Sequence, residues 1–113
     1  MNKPTKVNIL GTEYKIIYDK DLIECRGYCE FFIKEIHIAD TLFEDTKGDY
    51  EHFSSLYKSG YKTLRHEMIH AFMFESGLWN NCDWARNEEM TDWIAMQIPK
   101  ISKCFNQLKI LEE

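Results

Sequence analysis

The chain is 113 residues long and carries 14 Lys and Arg against 19 Asp and Glu, a net charge of −5. That length allows one domain with a small core, so residues 1–113 read as a single unit. The mild negative charge and singly scattered basic residues offer no stripe for phosphates, which argues against a nucleic-acid partner, and no apolar run is long enough to span a membrane.

No apolar signal-peptide core follows the first six residues, so an intracellular, cytoplasmic protein is expected. Residues 6–10 and 13–18 read as strands, with Gly11-Thr12 as the tight turn between them. Residues 19–26 are polar and read as a connection, with room for a helical turn around Leu22-Ile23. Residues 28–32 and 35–39 read as a second strand pair joined near Ile33-Lys34. In the latter strand Ile36 and Ile38 alternate with Glu35 and His37, giving a buried face and a wet one. Residues 40–50 are acidic and loop-like. Glu44, Asp45 and Asp49 lack the spacing of a calcium loop, so a solvated loop is expected there.

Residues 51–59 have helical spacing, with a break expected at Ser59-Gly60. From Tyr61 to Ser76 there is no Gly or Pro, and Leu64, Met68 and Phe72, with Ile69 and Met73, recur at helical spacing. Gly77 follows, where a helix commonly stops. A loop with Trp79 and Trp84 leads to a second helical pattern over 87–98, with acidic residues in its first turn. Pro99 is expected to end or kink it, leaving a terminal helix over 101–111. The fold class expected is α+β: a small, mainly antiparallel sheet followed by about three helices. Four cysteines (Cys25, Cys29, Cys82, Cys104) form no CxxC pair. Free thiols are expected, ahead of a second zinc site at Cys25 and Cys29 or a cysteine nucleophile.

Chemistry concentrates in His66-Glu67-Met68-Ile69-His70. On a helix, positions i and i+4 share a face, so His66 and His70 can point at one metal ion. Imidazole suits zinc, and Glu67 falls beside the pair, where it can take a proton from an activated water. HExxH therefore brings two ligands and a general base within five positions. Catalytic zinc needs a third protein ligand and an open position. The second helix offers Glu88, Glu89 and Asp92, of which Glu88 and Asp92 share a face. One carboxylate can bind the ion while the other orients a ligand imidazole. His37 is a weaker candidate, because a histidine on a wet strand face is more often simply solvated. For the donor that would stabilise an oxyanion, the residues alone offer Tyr57, Tyr61, His52 and Arg86 without choosing among them.

His66-Glu67-Met68-Ile69-His70 followed by Asn87-Glu88-Glu89-Met90-Thr91-Asp92 resembles the gluzincin pattern, HExxH then NExxxD. In size and layout the chain is similar to small phage- or prophage-encoded metallopeptidase-like proteins related to the ImmA/IrrE group. The resemblance implies a minimal zincin-like domain holding one catalytic zinc. It implies Glu88 as third metal ligand beside His66 and His70, Asp92 as the carboxylate behind a zinc-bound histidine, and Glu67 as general base. It further implies hydrolysis of an intracellular protein or peptide; for such a reaction the strand at 35–39, read from its own pattern, is expected at the sheet edge, where it can align substrate by strand addition. The match covers 63–98 well and 27–40 more loosely, and no residue matches the downstream oxyanion-holding His of thermolysin-like enzymes. The rival expectation is a catalytically inactive, zinc-stabilised interaction module. A closed site, with His37 or Cys82 as fourth ligand, would favour this rival.

Overall fold

The computed structural model describes residues 3–43 and 50–112, and side chains within 3–43 and 60–112. The acidic residues Glu44, Asp45 and Asp49, and the side chains of His52 and Tyr57, lie outside the described residues. Strand β1 (Lys6–Ile9) turns into β2 (Thr12–Asp19) through Leu10 and Gly11, at φ 50° and 94°. Two successive positive φ values match the right-handed twist of a two-residue hairpin, which is why Gly serves at the second position. The side chain of Asn8 braces this turn by accepting from the Gly11 amide. The turn therefore falls one residue earlier than the expected Gly11-Thr12.

Strands β3 (Gly27–Glu30) and β4 (Glu35–Ala39) form a second hairpin, shorter at its tip than expected, with Phe31 and Phe32 in the turn. The strand order is β1-β2-β4-β3, and β2 runs parallel to β4 while the other two pairings are antiparallel. The sheet is thus mixed rather than purely antiparallel. Strand β4, expected at the edge, is interior, and β3 and β1 are the edge strands. Residue patterns locate strands, but here nothing local dictates that the second hairpin docks by its second strand.

Ile9, Tyr14, Ile16, Ile36 and Ile38 from the sheet meet Leu64 and Ala71 of helix α1 (Tyr50–Glu75) in the core. This helix runs unbroken through Gly60, where a break was expected. A Cβ there would come within 2.5 Å of the Phe43 ring, so Gly60 is required by close packing. Gly77, at φ 85°, follows the last turn as expected. Glu75 ties that end of α1 to the sheet. It accepts hydrogen bonds from Thr12 Oγ1 at 3.1 Å, Tyr14 Oη at 2.6 Å and Lys34 Nζ at 2.7 Å.

After a short 3-10 turn (Asp83–Arg86), α2 (Glu88–Leu108) is one helix in place of the two expected there. Asn87 caps it by accepting from the Met90 amide, and Lys109 closes it at φ 56°. Pro99 lies inside α2 without ending it. Proline lacks the N–H that would bond the carbonyl four residues back, here Ala95. Arg65 Nε of α1 donates to that carbonyl at 2.7 Å, so the orphaned acceptor is satisfied from the neighbouring helix. The fold is α+β, with a four-stranded mixed sheet and two α-helices. Among the described residues no helix is long and apolar enough to cross a membrane.

Candidate metal centre

His66 and His70 stand one turn apart on α1, where that helix faces the first residue of α2, Glu88. His66 Nε2 lies 2.9 Å from one Glu88 carboxylate oxygen, and His70 Nε2 lies 3.0 Å from the other. The two Nε2 atoms are 3.1 Å apart. Asp92, one turn further along α2, places an oxygen 3.3 Å from His66 Nδ1. Its other oxygen is 3.0 Å from Lys62 Nζ. Thus Lys62, Asp92 and His66 form a chain that ends at the convergence point.

The donor chemistry fits a divalent cation. An acceptor at Nδ1 holds the His66 proton there and turns the Nε2 lone pair inward. The Nε2 atoms of both histidines and both Glu88 oxygens crowd one point, an arrangement that a cation would satisfy. Burial lowers the His70 pKa, which keeps that ring neutral and its lone pair free. His70 Nδ1 is buried and has no hydrogen-bond partner. Among the described residues, His66, His70 and Glu88 are the one cluster of three whose ligand atoms fit around an ion, all lying within 4.8 Å of one another.

Glu67 is 7 % exposed and lines two clefts that meet at this cluster, of about 210 and 230 Å³. Burial pushes its carboxyl up to about 7, against the opposing pull of His66. Asp92 is the contrasting case. Burial raises its pKa, but the hydrogen bond and charge of Lys62, with help from His66, prevail and hold it below the usual range. Two carboxylates within one site are therefore driven in opposite directions, Glu67 by burial and Asp92 by Lys62.

The two clefts differ in character. One is lined by Arg26, Lys62, Thr63 and Asp92 beside His66, Glu67 and Glu88, and the other adds the apolar side chains of Phe31 and Trp79, with Cys29, to Glu67, His70 and Glu88. The edge strand β3 runs between them at Gly27. A Cβ there would meet the His37 carbonyl at 2.7 Å and Thr63 at 3.1 Å, so glycine lets the strand press against α1 beside Glu67. Trp79 meets the His70 ring edge-on with centroids 5.4 Å apart, and packs edge-on against Phe31.

Of the residues singled out in the sequence, His66, Glu67, His70, Glu88 and Asp92 come together. His37 does not join them. It stacks on Tyr28 with centroids 4.5 Å apart and bonds Glu35 at 2.9 Å. Cys25, Cys29, Cys82 and Cys104 are free thiols, and burial raises the Cys29 pKa to about 12, far from a nucleophilic thiolate. Arg86 is engaged by the Trp79 carbonyl and by Asp83, and Tyr61 packs edge-on against Phe43 in the core. Glu89 is exposed. Sequence reasoning missed Lys62, Arg26, Gly27 and Trp79. Lys62 had a signal, since it stands four residues before His66 on the same helix face. The others are brought in by the sheet and a loop, with no spacing to announce them. Comparison of the chain with protein-family models, curated proteins and solved structures finds no match.

Proposed function

We propose that this chain is a minimal zinc metallopeptidase of gluzincin type, acting on a protein or peptide. The observation that carries the reading is the convergence of His66, His70 and Glu88 with a buried Glu67 beside them. A structural metal needs the first three but has no use for the fourth. His66, His70 and Glu88 would hold the ion, and among the described residues no fourth protein ligand closes the cluster. Zinc bound there would lower the pKa of water and polarise a carbonyl.

Glu67 accepts the proton released as water attacks and returns one to the leaving amine. Burial pushes that carboxyl up to about 7, and a cation held by the neighbouring histidines would draw it back toward the ionised base the step needs. Asp92 fixes the His66 tautomer, and Lys62 fixes Asp92. The exposed edge of β3 offers backbone groups to an extended peptide, a role expected of 35–39 and transferred here to 27–30. Arg26 and Lys62 line the same cleft as Glu67, which makes them the candidates for stabilising an oxyanion.

The test is metal content and peptide hydrolysis of the parent beside His66→Ala, Glu88→Ala and Glu67→Gln. The parent is expected to carry one zinc per chain, with binding weakened in the first two variants. Glu67→Gln is expected to keep zinc and lose about 10²–10⁴-fold in turnover. Undiminished turnover in Glu67→Gln would remove the general base. Undiminished zinc affinity in Glu88→Ala would remove the third ligand and the gluzincin reading with it. Zinc without hydrolysis in every form would favour the inactive, zinc-stabilised module.

A further inference from the structure

Helix α2 presents two faces that bear different duties. Thr91 and Ala95 are buried on the face toward α1. On another face Met90, Trp93, Ile101, Phe105 and Leu108 remain 39–69 % exposed. Along this second face Met90, Ile94, Gln97, Ile101, Cys104 and Leu108 recur at alternating steps of four and three. That is the 3.5-residue repeat of a seam between two helices, not the pattern of a solvated surface.

The size and charge of the face indicate what covers it. The five exposed side chains offer on the order of 500 Å² of apolar surface, at the upper end of what a monomer leaves open. Two such faces together remove about 1,000 Å² from water, the threshold for a specific interface. Glu89 stands in the first turn of the helix, while Lys103 lies in its C-terminal third and Lys109 caps its end. An antiparallel arrangement sets acidic end against basic end and opposes the helix dipoles, whereas a parallel one sets like against like. With the two-fold axis at residue 99, Met90 falls opposite Leu108 of the second copy, Trp93 opposite Phe105, Ile94 opposite Cys104, and Glu89 opposite Lys109. Trp93 and Glu89 then meet Phe105 and Lys109 of an identical face, as an isologous contact requires.

We infer that this chain forms a homodimer through antiparallel packing of α2 against α2 of a second copy. The seam lies apart from the face that carries Glu88 and Asp92, so the dimer leaves the metal cluster as it stands.

Sedimentation equilibrium of the full chain tests this, beside the variant Ile101→Glu/Leu108→Glu. Both positions are exposed, so circular dichroism should show the helix content unchanged. The parent is expected to sediment at twice the chain mass and the variant at the mass of one chain. A parent that stays at one chain mass up to about 100 µM overturns the proposal, whether or not its face then takes up lipid vesicles or another polypeptide. So does a variant that still sediments as a dimer. Mild oxidation of Ile94→Cys, followed by peptide mass mapping, reads the orientation. A link from position 94 to Cys104 is expected. In the parent the two Cys104 residues stand about 15 Å apart along the axis, so no Cys104–Cys104 link should form. Finding that link, or finding none from position 94 to Cys104, overturns the antiparallel register.

Discussion

Asp92 binds two cationic or cation-facing partners with one carboxylate, Lys62 through one oxygen and His66 through the other. A carboxylate with both oxygens engaged cannot rotate, and the ring it holds cannot flip. Asp92→Asn keeps the shape but presents an amide that competes for the wrong proton on His66. Zinc affinity is expected to fall about 10–100-fold, measured by competition with a chromophoric chelator. Affinity equal to the parent's would show that Asp92 does not orient the ligand. This part of the site was readable from sequence, because helical periodicity alone puts Lys62, His66 and His70 on one face and Glu88 and Asp92 on another. Arg26, Gly27 and Trp79 were not readable. They reach the site through strand pairing and loop packing, which depend on contacts distant in sequence.

At the level of elements, two contacts between secondary structures decide the architecture. The first is Arg65 with the Ala95 carbonyl. Because Pro99 cannot donate to that carbonyl, Arg65→Met leaves a buried acceptor unpaired at a cost of about 1–3 kcal/mol, read from urea unfolding. Adding Pro99→Ala supplies the missing amide, and the double variant should recover much of the loss. Additive losses would show that the carbonyl is not what Arg65 serves. The sequence reading placed a helix end at Pro99 because proline is a sound local signal. What overruled it was a side chain 30 residues upstream.

The second contact is Glu75. The hydrogen bond from Lys34, then that from Tyr14, holds its pKa below the usual carboxylate range. A folded-state pKa below the unfolded one means that this stabilisation is complete above the ordinary glutamate pKa and is lost as pH falls through the lowered value. Stability of the parent should therefore decline more steeply in acid than that of Glu75→Gln, whose side chain does not titrate. Parallel acid profiles for the two proteins would remove Glu75 from the linkage.

For the whole molecule, a metal held by His66, His70 and Glu88 would also tie α1 to α2. Whatever binds the folded chain and not the unfolded one adds RT ln(1 + [L]/Kd) to stability, about 4 kcal/mol at a thousandfold excess over Kd. Chelation of the parent should lower its thermal midpoint by several degrees, whereas Glu88→Ala should respond little. Equal responses would place the metal elsewhere. The α+β class and the placement of the core strands were legible, since alternation and helical spacing are strong in 6–18, 35–39 and 61–76. The mixed strand order was not. Both hairpin dockings bury the same isoleucines, and only the assembled sheet selects between them.

Arg65 acts on more than the carbonyl it caps. Ala95 stands seven residues after Glu88, two turns along α2, so the two project from nearly the same azimuth. A peg from α1 into the backbone at Ala95 therefore sets the clock position of α2. Turning that helix by a single residue step would swing Glu88 about 100° away from the histidines and pull the peg out at the same moment. The proline that would weaken a free helix is what opens the keyhole. The azimuth of Glu88 is thus tied to a contact two turns along α2, made by the residue that directly precedes His66 on α1.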